Sequence, residues 1–159
     1  MKHLFFLTVL LLSSAAVVTA QDAAVSSELK AYLITVDENG NENATEVTEV
    51  EPGQTIEYRL TYQNNLPEGI SDLTPILPIP LEMIYQEGSA DPEVSKVSLT
   101  QNEQDFQEIP ITREVTLQNG EVEEQVVPAS EYRRLQWVIP SLQSGESITL
   151  SARAKVIEN

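Results

Sequence analysis

Between Ser147 and Val156 the chain alternates without a break. Ile148, Leu150, Ala152, Ala154 and Val156 are apolar, while Ser147, Thr149, Ser151, Arg153 and Lys155 are polar. A period of two puts one set of side chains on each face of a strand, so this run predicts a half-buried β-strand. The stretch "EPGQTIEYRLTYQNN" (51–65) reads the same way: Ile56, Tyr58, Leu60 and Tyr62 alternate with Glu57, Arg59 and Thr61. A Pro-Gly turn precedes this second strand and an Asn pair ends it. Further runs rich in β-formers are "LKAYLITV" (29–36), "TEVTEV" (45–50), "LEMIY" (81–85), "VSKVSLT" (94–100), "FQEIPIT" (106–112) and "RRLQWVI" (133–139). Between the first two, "DENGNENA" supplies turn residues. In "EVTLQNGEVEEQVV" (114–127), Asn119-Gly120 separates two alternating runs, a hairpin signal. Pro75, Pro78 and Pro80 cannot donate to a ladder, so that section suits an extended edge or a loop crossing the top of the fold.

Beyond the first twenty residues no segment holds a helical period. Many short alternating strands without βαβ units predict an all-β fold, an Ig-like antiparallel β-sandwich, as a single domain. The N-terminus reads as an address. Lys2 and His3 precede the apolar run "LFFLTVLLL" (4–12), and Val18-Thr19-Ala20 fits a small-x-small cleavage site before Gln21. That apolar run falls short of the ~20 residues a membrane span needs. The expected organisation is therefore a cleaved signal peptide (1–20), a flexible leader (21–27) and the sandwich domain (28–159). The expected location is periplasmic or secreted, with no membrane insertion after cleavage.

Composition narrows the chemistry. The chain has 159 residues, with nine Lys and Arg against 25 Asp and Glu and a net charge of −16. Loss of Lys2 with the signal would leave eight cations and a net charge of −17. Such a charge repels nucleic acid and anionic lipid, so no nucleic-acid partner is expected. The sequence holds no cysteine, and its one histidine, His3, lies in the signal. The mature chain then has no thiol nucleophile, imidazole base, Ser-His-Asp triad or zinc site of the His/Cys kind, and no disulfide. Its stability must come from a hydrophobic core.

Four groups of residues invite a functional reading. Tyr58 and Tyr62 could form an aromatic strip for a sugar or peptide, but on the apolar face of a strand they fill a core, with Trp137 as facing partner. Trp137, in phase with Leu135 and Ile139, also reads as core. The oxygen-rich stretch "DENGNENATE" (37–46) suits calcium in composition. Counted from Asp37, however, the EF-hand Gly and Glu positions hold Glu42 and Thr48, so a hairpin connection is expected instead. Asn43-Ala44-Thr45 fits a glycosylation sequon, relevant only in a eukaryotic secretory pathway. Glu121, Glu123 and Glu124, with Asp105 and Glu108, could offer a carboxylate pair for glycoside hydrolysis, which needs a sheltered cleft. Arg133-Arg134, beside Tyr132, could receive a carboxylate, but is read as relieving repulsion among Glu121, Glu123, Glu124 and Glu131. No catalytic, cofactor-binding or metal-ligating residue is assigned, and no cofactor is expected.

Three blocks carry a family resemblance. "EPGQTIEYRLTYQNN" resembles the Pro-Gly-(Asp/Gln)-x-(Val/Ile)-x-Tyr signature of the domain of unknown function eleven family, the "conserved repeat" Ig-like domain of bacterial envelope and surface proteins. "PIPLEMIYQEGSA" (78–90) and "LQWVIPSLQSGESITLSARAKV" (135–156) are similar to its proline-led strand with closing Gly-Ser-Ala, and to its Trp strand, Gly-Glu turn and last strand. The blocks span residues 51–156 in order. The family's Asp-x-Leu-Pro appears here as "LTPILPIP", residues 94–128 match loosely, and one copy is present where tandem copies are common. The resemblance implies an Ig-like fold and an envelope location, and no activity. The expected role is a non-catalytic structural or protein-interaction module of the bacterial envelope, monomeric, meeting an unidentified protein partner through an edge strand or loops. A module for a glycan or small envelope molecule is the alternative, with an acid-pair hydrolase behind it.

Overall fold

The computed structural model describes residues 24–102 and 105–158. Residues 1–20, expected to be a signal peptide, and the first residues of the expected leader lie outside them. Every named strand pairs antiparallel. The larger sheet contains β1 (Val25–Val36), β2 (Glu42–Glu46), β3 (Thr55–Asn64), β6 (Met83–Tyr85) and β12 (Ser147–Val156), in the order β2-β1-β3-β12-β6. Its centre is the strand read from "TIEYRLTYQN". β3 pairs β1 through Leu60 opposite Leu29, and β12 through Leu60 opposite Leu150. Alternation does what the sequence requires: Ile56 and Leu60 of β3, and Leu150, Ala152, Ala154 and Val156 of β12, are all buried. Size is matched across the register, with Tyr58 opposite Ala152 and Ile56 opposite Ala154.

A smaller sheet faces it. β5 (Ile76–Pro78), β10 (Arg134–Gln136) and β7 (Lys96–Ser98) run in the order β5-β10-β7. Leu135 lies opposite Leu77 on one side and Val97 on the other, and all three are buried. β4 (Ile70–Leu73) and β11 (Ile139–Leu142) form a flanking ribbon. One hydrophobic cluster joins the layers, from Ile56, Leu150 and Ala152 to Leu77, Val97, Leu135 and Trp137. The molecule is an antiparallel β-sandwich.

β8 (Thr112–Thr116) and β9 (Val122–Val126) form a two-stranded hairpin of their own. Its turn is the one read from Asn119-Gly120. Gly120 sits at φ 84°, in the left-handed region that glycine enters without strain, and its N–H donates to the Leu117 carbonyl. The Asp37–Asn41 turn repeats the device with Gly40, also at φ 84°.

Several boundaries differ from expectation. β1 begins at Val25, inside the stretch read as leader. The second strand lies at Glu42–Glu46 rather than 45–50, because the Asp37–Asn41 turn is tight and returns the chain to β1 at once. Residues 106–111 form no strand; Gln107 makes only an isolated bridge to Val97. Ile109-Pro110 interrupts that run, and proline has no N–H to give a ladder. The proline section holds as an edge: β5 is the outer strand of its sheet and ends on Pro78.

Candidate functional site

Trp137 is core. It is 1 % exposed, and its indole Nε1 donates to the Pro92 carbonyl at 2.7 Å. Tyr58 packs half-buried against the same cluster, with its hydroxyl 3.1 Å from Met83 Sδ. Tyr62 is half-buried on the same strand. The Asn pair that closes β3 proves structural. Buried Asn64 donates through Nδ2 to the carbonyls of Glu68, Leu142 and Gln143 at 2.8–3.1 Å, and its Oδ1 accepts from the Leu66 N–H. One side chain thus pins two loops, a role that alternation does not reveal.

In the oxygen-rich 37–46 stretch, Asp37 and Glu42 are taken up by protein partners. Asp37 accepts from the Asn39 and Asn41 amides and from Asn41 Nδ2, at 2.8–3.0 Å. The Asn41 side chain is the largest influence holding the Asp37 carboxyl below its ordinary value. Glu42 forms a two-pronged pair with Arg153, at 2.9 and 2.7 Å. Among the described residues no group of three or more His, Cys, Asp or Glu is arranged to hold a metal ion.

Arg153 and its neighbours make a charge network on the outer face of the larger sheet. In register, Arg153 sits opposite Glu57, and Glu57 opposite Tyr32. Arg153 Nε donates to Glu57 Oε2 and Arg59 Nε to Glu57 Oε1, both at 2.8 Å. The Arg59 guanidinium lies 4.1 Å above the Tyr32 ring centroid. Burial pushes the Glu57 carboxyl up, but hydrogen bonds from Arg153 and then Arg59 outweigh it and hold the group below its ordinary value. The Glu42 and Glu57 bonds raise Arg153 in turn, so the network stays charged.

The carboxylates read as a potential acid pair are not brought together. Glu121, Glu123 and Glu124 lie on the β8–β9 hairpin and in its turn, exposed on a two-stranded ribbon. Glu124 accepts from Thr112 Oγ1, and Glu121 from Asn119. Asp105 lies in the connection that follows β7, where it meets Arg134. The arginine pair departs from expectation. Arg134 does not relieve the hairpin glutamates. It is buried, 7 % exposed, donates to Thr100 O at 3.0 Å and Ser98 Oγ at 3.2 Å, pairs with Asp105 at 3.3 Å, and lies 4.6 Å from the Phe106 ring centroid. Ser98 and Thr100 hydroxyls also bond Asp105, and the Ser98 bond is foremost in lowering its carboxyl. A guanidinium removed from water needs such a full set of partners. Glu131 is met instead by Arg113, through two bonds of 2.7 and 2.8 Å. Arg133 donates to the Met83 carbonyl.

Two features remain open. β2 covers β1 only from Tyr32 to Val36, and the Val47 N–H caps the Ala31 carbonyl. Toward Val25, no described strand lies on that side. Residues of an antiparallel strand alternate the neighbour to which they turn N–H and C=O. Ala31 turns toward β2 and Ala24 toward the β3 side, so Val25, Ser27 and Leu29 direct theirs to the open side. The second feature is a cleft of about 370 Å³ between the 87–94 connection, Ile109 and Tyr132.

The fold and these sites define a class, an antiparallel β-sandwich with a paired charge network on its larger sheet and an uncovered stretch of β1. Compared with protein-family models, curated proteins and solved structures, the chain matches none.

Proposed function

We propose that this chain is an exported, non-catalytic structural or protein-interaction module of the bacterial envelope, on an Ig-like sandwich of the conserved-repeat kind that its three sequence blocks resemble. The observation that carries this reading is the open edge at Val25, Ser27 and Leu29. Unpaired N–H and C=O groups on an edge strand accept an added strand from a partner. Leu29, 51 % exposed, gives such a strand an apolar contact. The larger aromatic and charged groups favour the same reading: Trp137 is sealed in the core, which removes it as a platform for a sugar, and Arg134, Arg153, Glu57 and Asp105 are occupied by one another or by nearby groups.

The test pairs a photo-cross-linking residue at position 29 with Ser27→Pro, in the cells that make the protein. Ser27 turns its N–H outward, so proline removes an edge donor and leaves the ladder to β3. A discrete adduct that disappears with Ser27→Pro, in a product whose measured mass begins at Gln21 and which is found outside the cytoplasm, is expected. A product retaining Met1 in the cytoplasm, or an adduct indifferent to the proline, contradicts the proposal.

A further inference from the structure

The cleft beside Tyr132 is the second open feature, and its lining is specific in character. Tyr85 and Tyr132 form its floor, 5 % and 1 % exposed, with ring centroids 6.3 Å apart and planes inclined at 23°. Val94, Ala90 and Ile109 form an apolar wall, and Ile109 is exposed. Glu87 and Glu93 stand at the rim. None of the lining residues is basic.

Three observations point to a ligand. First, Glu87 and Glu93 make no hydrogen bond or ion pair among the described residues, and these two free carboxylates stand at the rim of one cleft. Second, the Tyr132 hydroxyl also makes no hydrogen bond among them and is not fully buried, on a side chain that lines the cleft. Third, burial first and then the Glu87 charge raise the Tyr132 phenol, and burial and Glu87 also act upward on Tyr85. The cleft thus combines an apolar wall with oxygen acceptors and negative potential.

We infer that this cleft binds an organic cation with an apolar stem, an alkylammonium such as a lysine side chain. The stem lies along Val94, Ala90 and Ile109, and the ammonium meets Glu87, Glu93 and the Tyr132 oxygen. An ammonium has three donors and no acceptor, which suits two carboxylates and a phenol oxygen at one rim. Long cationic side chains lay their methylenes on apolar surface while the head stays polar. The cation can be a lysine of a partner protein or a free alkylamine. The first source rests on the interaction-module reading and names the chemistry its partner would present.

The test titrates the isotope-labelled full chain with three probes: acetyl-Gly-Lys-Gly-amide, the same peptide with Nε-acetyl-lysine, and n-butylammonium chloride. Backbone amide shifts are followed at Gly88, Ala90, Ile109 and Tyr132. A saturable shift at these positions with a cationic probe is expected, absent with acetyl-lysine and weakened at least tenfold by Glu87→Gln with Glu93→Gln. Both glutamates are exposed, so the double variant keeps the fold, checked by its unchanged spectrum elsewhere. Binding of the lysine peptide alone assigns the site to a partner protein; equal binding of butylammonium assigns it to a free amine. No saturable shift, a shift spread over the acidic surface, equal binding of the acetylated peptide, or full binding by the double variant overturns the inference. A silent cleft with an intact position-29 adduct sinks this inference and leaves the edge proposal standing.

Discussion

At the residue scale, polar groups removed from water decide more than their number suggests. Asn64 satisfies three carbonyls and one N–H at the junction of two loops. Asn64→Ala leaves those groups without a partner. Each buried unsatisfied group costs about 1–3 kcal/mol, and partial rehydration at the loop end limits the total to about 2–3 kcal/mol. Urea unfolding of the variant checks this through a lower midpoint at unchanged slope; an unfolding free energy within about 0.5 kcal/mol of the parent's contradicts it. Alternation puts Asn64, not Asn65, on the inward parity of Tyr62, Leu60, Tyr58 and Ile56. Its partners Leu142 and Gln143, nearly eighty residues away, meet it only in the fold. Arg134 was illegible for a related reason. Its partners Ser98, Thr100 and Asp105 are distant in sequence and meet it only when β7 and β10 pair.

At the element scale, legibility tracks strand length. β3 and β12 hold their alternation over ten residues each and lie within a residue of where the pattern puts them. Three-residue strands such as β5, β7 and β10 offer too few positions for a period to show, and only the packing of Leu77, Val97 and Leu135 defines them. The β8–β9 hairpin is legible through its turn. It belongs to neither sheet, and an isolated two-stranded ribbon is marginally stable in water. Its integrity therefore leans on Gly120. An alanine there meets no neighbouring atom but must adopt φ 84°, at a cost of about 1–2 kcal/mol. Gly120→Ala should speed amide exchange across Val122–Val126 while the exchange of β3 stays as in the parent. Equal acceleration in both would mean that the hairpin is integral to the sandwich.

At the scale of the whole molecule, two electrostatic effects oppose each other as pH falls. The net charge of −16 favours expansion at neutral pH, and protonation of exposed acids relieves that repulsion. Glu57, Glu42 and Asp105 act the other way. Their carboxyls are lowered by Arg153, Arg59, Ser98 and other bonds, so the stability they contribute is present above their ordinary values of 4.5, 4.5 and 3.8. It is lost as pH falls through the lower folded values. Stability should therefore rise from pH 7 toward about 5 and fall below about 4. Glu57→Gln should flatten the acid limb. A monotonic rise to pH 3, or an acid limb unchanged by Glu57→Gln, would contradict the network's role. Composition made the first effect legible; the second depends on register, which sets Arg153 beside Glu57.

β2 covers β1 only from Tyr32 to Val36, and the proposed role rests on the edge left open toward Val25. Site-resolved amide hydrogen exchange over residues 25–30 tests that edge most directly. If it is open, protection alternates: Ser26, Glu28 and Lys30, bonded to β3, exchange slowly, while Ser27 and Leu29 exchange near the rate of an exposed amide. Uniform slow exchange along the strand would mean that the edge is already covered, and would contradict the account.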